Sequence, residues 1–161
     1  MMTMNLEVTT PSDNEIMMTR TFNAPRHLVF EALTKPEIVR RWLLGPDGWT
    51  MPECEIDLRV GGRYRYVWEH PKQGRMSSGG VFREIVPPER IVQTEKFEQP
   101  WYPGEAIATL TLAEHDGQTT LTVVIRHESK AVRDMVLKTG MEKGVAASYD
   151  RLAKIVESRS V

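Results

Sequence analysis

The chain has 161 residues, 40% of them hydrophobic and 27% charged, a length and composition suited to one domain that buries a core without metal or disulfide staples. Its 21 basic and 22 acidic side chains are spread evenly over both halves, which excludes the strong basic field of a nucleic-acid binder. The single cysteine excludes an internal disulfide and fits a reducing, cytoplasmic setting, and neither a membrane span nor a signal peptide is legible.

Residues 1–14 are polar and read as a flexible tail, with residues 15–159 forming a single domain. The first strand follows, where Ile16, Met18, Arg20 and Phe22 alternate with Met17, Thr19 and Thr21. Two short helices come next. Pro25 marks the first start, since a first-turn residue needs no amide donor, and Leu28, Val29, Ala32 and Leu33 fall on one face. Thr34 to Glu37 reads as a capping box opening the second helix, with Ile38, Val39, Trp42 and Leu43 as its apolar face and Gly45-Pro46 as its stop.

From Met51 to His127 the period becomes two. Strands are predicted at 53–60, 62–70, 78–86, 90–98, 105–114 and 119–127, separated by Gly- and Pro-rich punctuation. Asp116-Gly117 is a tight-hairpin signal. The connections are too short for parallel crossovers, so the strands form an antiparallel meander. A short helix is expected over Lys130 to Lys138. Thr139 to Glu142 reads as a second capping box, opening a helix over 140–158 whose stripe is Met141, Val145, Tyr149, Leu152 and Val156. The order defines an α+β layout in which a strongly curved antiparallel sheet wraps a long C-terminal helix, with two short helices after strand 1.

Aromatic residues are the first candidates for a site. Tyr64, Tyr66 and Trp68 share one strand face, either as a thick core layer or as one wall of a pocket. Trp42 and Trp101 are placed at a pocket mouth, whereas Trp49 reads as a cover over a core edge. Met141 could line a cavity or belong to the helix stripe. His127 continues the Leu121, Val123, Ile125 face and is either a satisfied histidine at the sheet end or a polar group inside a pocket. Cys54 alternates with Ile56 and reads as a small buried hydrophobe. Glu53, Glu55 and Asp57 read as a solvated face pairing with Arg59, Arg63 and Arg65. Glu84, between Phe82 and Val86, would be a buried acid if that face points inward, with Arg83 and Arg90 at hand. The histidines and the cysteine have no metal-site spacing. Gly61-Gly62 is a hairpin turn and not a phosphate loop, and Gly79-Gly80 marks a bend.

Four stretches resemble a known family: RTFNAPRHLVFEALTKPEIVRRWLLGP at 20–46, DLRVGGRYRY at 57–66, GGVFREIVPPERIVQTE at 79–95 and TGMEKGVAASYDRLAKIVES at 139–158. They are similar, in this order, to the family named after the activator of the heat-shock protein 90 ATPase, within the START-like or SRPBCC superfamily. The resemblance implies a helix-grip fold with a deep cavity between sheet and C-terminal helix. Superfamily relatives bind lipids, steroids or polyketides, some are aromatases or cyclases, some are antibiotic-resistance proteins, and the name-giving members are chaperone partners. Carried onto this chain, the cavity-lining residues would be Trp42, Tyr64, Tyr66, Trp68, Phe82, Trp101, Met141, Val145 and Tyr149. Relatives often carry a second aromatic directly after the first where WLLGP has Leu43, so the entrance here is less aromatic. The name-giving activators also have a separate N-terminal domain, for which residues 1–14 are too short.

The leading expectation is a binding protein for a small hydrophobic or amphipathic ligand, with Tyr66, Tyr149 or His127 supplying orienting hydrogen bonds. No catalytic residue, metal or cofactor is assigned. The alternatives are an enzyme of cyclase, dehydratase or hydrolase type using Glu84 and His127, and a chaperone-interacting module. Homodimerisation is compatible with all three.

Overall fold

Residues 4–159 are described by a computed structural model built around one eight-stranded sheet. The elements in chain order are β1 (Glu7–Thr9), β2 (Glu15–Phe22), α1 (Arg26–Thr34), α2 (Pro36–Trp42), β3 (Thr50–Ile56), β4 (Arg63–His70), β5 (Gly74–Val86), β6 (Arg90–Phe97), β7 (Ala106–His115), β8 (Gln118–Arg126), α3 (Lys130–Lys138) and α4 (Met141–Arg159). The sheet order is β1-β2-β8-β7-β6-β5-β4-β3, antiparallel throughout. The two short helices carry the chain from β2 to the far edge. A six-strand meander then brings it back, so that β8 lies against β2. No described helix is long and apolar enough to cross a membrane.

The segment expected as a flexible tail is fastened to the sheet. Its residues 7–9 form β1 and pair with Met17 to Thr19 of β2, while Leu6 and Val8 pack on the core. Arg133 then donates to the Ser12 carbonyl at 2.8 Å, and the Asn14 amide donates to the His127 carbonyl at 2.9 Å. The apolar pair Leu6 and Val8, set in a polar stretch, is the feature the composition masks. Residues 1–3 of that tail lie outside the described residues.

Neither expected capping box forms. Pro36 occupies the first position of α2 with Lys35 ahead of it, so Thr34 belongs to the end of α1. Its buried hydroxyl donates back to the Phe30 carbonyl at 2.8 Å. Thr139 likewise closes α3, donating to the Val136 carbonyl at 2.6 Å. The Asp116-Gly117 hairpin forms as expected. Both residues have positive φ, 51° and 78°, as a two-residue turn between twisted strands requires.

One sheet face packs on α4. Ile16, Met18 and Phe22 of β2 and Leu121 and Val123 of β8 are buried there, in register with Ala108 and Leu112 of β7 and Ile91 of β6. Burial along α4 is uneven. Leu152 and Val156, in its C-terminal half, are fully enclosed, whereas Met141 and Val145 stay partly exposed. The middle of α4 is tied to the loop after α2, where Ser148 accepts from the Gly45 amide at 2.9 Å and Arg151 donates to the Gly45 carbonyl at 2.7 Å. The grip is therefore closed over the α4 C-terminus and looser over its N-terminus.

Candidate functional site

The looser end is lined by aromatic rings from three strands, a loop and a helix. On β4, Tyr64, Tyr66 and Trp68 share the inward face, with ring centroids 5.1 and 5.7 Å apart in succession. Phe82 of β5 lies 5.4 Å from Tyr64. Phe97, at the end of β6, stacks on Trp68 at 6.4 Å and meets Tyr102 edge-on at 5.9 Å. Tyr102 in turn touches the His127 ring at 5.2 Å. From above, Tyr149 of α4 packs on Trp42 and Phe22.

Small residues separate these rings. Tyr64 faces Gly80 across the β4–β5 ladder and Tyr66 faces Ser78, while Ala106 faces Glu95 across β6–β7. Gly80 has no alternative, because a Cβ there would lie 2.0 Å from the Thr94 carbonyl oxygen. The same carbonyl accepts from the buried Tyr64 hydroxyl at 2.5 Å, which locks β4 to β6 over the glycine.

The polar centre of this face is Glu95. Inward positions on β6 are Ile91, Gln93, Glu95 and Phe97, so two polar residues sit between apolar ones. Tyr102 donates to Glu95 Oε1 at 3.2 Å. Oε2 receives no hydrogen bond from the described residues, and the Tyr66 and Tyr149 hydroxyls make none with them. Burial pushes the Glu95 carboxyl above the usual carboxylate range, against the downward pull of the Tyr102 bond. Burial also pushes up the phenols of Tyr64, Tyr66, Tyr102 and Tyr149, and the nearby Glu95 charge adds to each shift. The Tyr102 hydroxyl thus reaches the carboxyl directly, and Tyr64, Tyr66 and Tyr149 lie within the range of its charge.

His127 lies on the same face. Its backbone amide extends the β2–β8 pairing by donating to the Asn14 carbonyl at 2.8 Å. Its side chain is 4% exposed, and neither ring nitrogen has a partner among the described residues. Burial holds its pKa below the usual histidine value, with the Arg133 charge adding to the effect.

Other sequence candidates fall differently. Trp42, expected at a mouth, is buried, and its indole nitrogen donates to the Ala32 carbonyl at 2.8 Å. Trp101, 36% exposed, sits at the rim against Phe97 and Tyr102. Glu84 is not inward. A bulge between Phe82 and Glu84 shifts the alternation, so Ile85 reaches the core while Glu84 pairs with Arg90 at 3.2 Å near solvent. Glu53 and Asp57 form the expected charged outer face with Arg65, Arg75 and Arg59. Burial pushes the Cys54 thiol up to about 11, consistent with an inert packed sulfur.

Sequence reasoning passed over Glu95, Gln93, Phe97 and Tyr102. The available signal was the frame Ile91 to Phe97, where two apolar residues in phase bracket two polar ones. Among the described residues no group of three or more metal-ligating side chains exists. Two surface clefts are present, one of about 500 Å³ around Gly48, His70 and Arg75 and one of about 320 Å³ at Pro100 to Pro103. Neither is the space under α4.

An antiparallel sheet curved around a long C-terminal helix, with two short helices inserted after β2, defines the helix-grip class of START-like proteins. Residues 23–157 match the family described as Activator of Hsp90 ATPase homolog 1-like protein, and the chain belongs to that family. A solved structure from Rhodobacter sphaeroides is 26% identical, with a TM-score of 0.88 over 95% of this chain and 99% of its own. One from Chromobacterium violaceum is 30% identical, with a TM-score of 0.77 over 91% and 99%. An AHSA1-like protein from Aeromonas hydrophila, 15% identical with a TM-score of 0.68 over 86% and 93%, shares the fold. No curated protein matches the chain.

Proposed function

We propose that the chain binds a small hydrophobic or amphipathic molecule between the concave sheet face and the N-terminal half of α4. One observation carries this reading. Leu110 and Ile125 point inward from central strands, yet both remain partly exposed, as do Tyr66, Phe97, Met141 and Val145. Inward residues one or two rows away, such as Leu121, are completely enclosed. Accessible apolar surface beneath a covering helix is the surface a ligand would take from water. Covering roughly 300 Å² of it would contribute on the order of 7 kcal/mol before association costs. The rim aromatics Trp68 and Trp101 would report the event.

The test is a thermal-shift panel of lipophilic compounds with tryptophan fluorescence read in parallel. A ligand at 100 times its Kd adds about 2.7 kcal/mol, which for a domain of this size raises Tm by about 5–10 °C. A shift of that size with a change in tryptophan emission supports the reading. No shift and no emission change across the panel overturns it and favours a protein partner.

A further inference from the structure

We infer that the molecule taken by this recess is a lipophilic cation, an amine or quaternary ammonium whose charge rests against Glu95 among Tyr66, Tyr102 and Tyr149. The inference deepens the ligand-binding reading and rests on it.

The argument begins with an imbalance of charge. Glu95 is a carboxyl on the inward face of β6, and no cation among the described residues pairs with it. The two inward arginines are engaged elsewhere. Arg20 pairs with Asp150, and Arg133 pairs with Asp134 and the carbonyls of Ser12 and Glu15. His127 lies one strand beyond Ala106 in the Glu95 row and makes no hydrogen bond to the carboxyl. A half-buried carboxylate on an apolar face without a counter-charge is costly, and the cost is relieved either by taking up a proton, the direction in which its pKa is shifted, or by a cation that arrives with the ligand.

The surroundings select the sign of that partner. Tyr64 and Tyr66 from β4, Tyr102 from the loop after β6 and Tyr149 from α4 all lie within the field of the carboxyl. Aromatic faces attract cations through their quadrupoles, most strongly where water is excluded. An anion would be repelled by Glu95. A neutral hydroxyl could donate to Oε2 but would leave the negative charge uncompensated. An alkyl cation compensates the carboxylate charge and is attracted by the ring faces, and its chain can cover the partly exposed Leu110, Ile125 and Phe97.

The experiment uses the full chain and three probes with one tail: octyltrimethylammonium, octanol and octanoate, each below its micelle concentration. Calorimetry is run on the wild type and on Glu95→Gln, which keeps the side-chain shape and removes the charge. The wild type should bind the ammonium at least tenfold more tightly than either other probe. Glu95→Gln should lose that preference and keep its octanol affinity within about twofold. Should the variant fold poorly, the wild-type pH profile decides: ammonium affinity rises as the pH is raised above the ordinary carboxylate value of 4.5, while octanol affinity stays flat. The groups facing Glu95 in that range are the four tyrosines, which stay neutral, and His127, whose variant His127→Leu serves as the control for its charge. Equal affinity for all three probes, or a preference for the ammonium that survives Glu95→Gln, overturns the inference while leaving the binding reading intact. Failure of all three probes to bind overturns both.

Discussion

The Tyr102 hydroxyl and the Glu95 carboxyl lie 3.2 Å apart, and among the described residues theirs is the one hydrogen bond linking the loop at 98–105 to the polar centre of the concave face. Tyr102 also bridges the two ends of the aromatic band, touching Phe97 on one side and His127 on the other. The loop is thereby held by a ring buried to its hydroxyl, and the carboxyl keeps its second oxygen for another donor.

Tyr102→Phe isolates that bond from the packing. The ring contacts remain, the Glu95 carboxyl loses its only donor among the described residues, and the downward pull on its pKa disappears. A lost hydrogen bond to a partly buried group costs about 1 kcal/mol. Urea denaturation at pH 7 should show a midpoint lowered accordingly, with an unchanged slope. A midpoint equal to wild type would mean that the bond contributes nothing.

Glu95→Gln should stabilise the protein at neutral pH. The folded-state pKa of Glu95 is raised above its ordinary value of 4.5. Its contribution is therefore fully present below about pH 4.5 and is lost as pH rises towards the folded-state pKa, since the unfolded chain releases the proton more readily. Within that window the loss approaches about 1.4 kcal/mol per pH unit. Wild type and variant should be nearly equal at pH 4, and the variant should lead at pH 7. Parallel stability curves for the two proteins would show that Glu95 ionises as if in water.

These residues also mark how far the sequence could be read. The strand pattern from Met51 to His127 and the stripe on α4 were plain because each follows one period over many residues. The Asp116-Gly117 turn was plain because few residue pairs tolerate positive φ twice. Alternation with Phe82 points Glu84 inward, and the bulge at that point turns it outward. Glu95 obeys the same rule without interruption. Polar residues bracketed by Ile91 and Phe97 look solvated unless the partner strands are known, and only Ala106 across the ladder shows which way they face. Thr34 and Thr139 failed as caps for a related reason, since each is held by the helix behind it.

Gly80→Ala should be among the most damaging single-methyl additions in the chain. The new Cβ would meet the Thr94 carbonyl oxygen at 2.0 Å, and the atom to be displaced is backbone, already held by the Tyr64 hydroxyl. Overpacking of this kind costs about 3 kcal/mol or more. A melting curve within 2 °C of wild type would require the β5–β6 bulge to slip, which the amide exchange pattern of Val81 and Phe82 would reveal.

His127→Leu tests whether the orphaned imidazole is tolerated for a purpose. Both ring nitrogens are buried without partners among the described residues, and an unsatisfied buried polar group costs about 1–3 kcal/mol. Leucine fills nearly the same volume against Tyr102 and removes the penalty, so the variant should melt a few degrees higher at pH 8. The gap should widen on acidification. The folded-state pKa of His127 is depressed below 6.5 by burial and by Arg133, so the stability that its neutral form keeps above pH 6.5 is lost as pH falls towards that lower value. Leucine has no proton to take up and escapes the loss. Thermal melts at pH 8 and pH 5 check both parts. A variant less stable than wild type at pH 8 would mean that the nitrogens are satisfied in solution by bound water. Ligand affinity lost alongside a gain in stability would identify His127 as a polar contact kept at the expense of the fold.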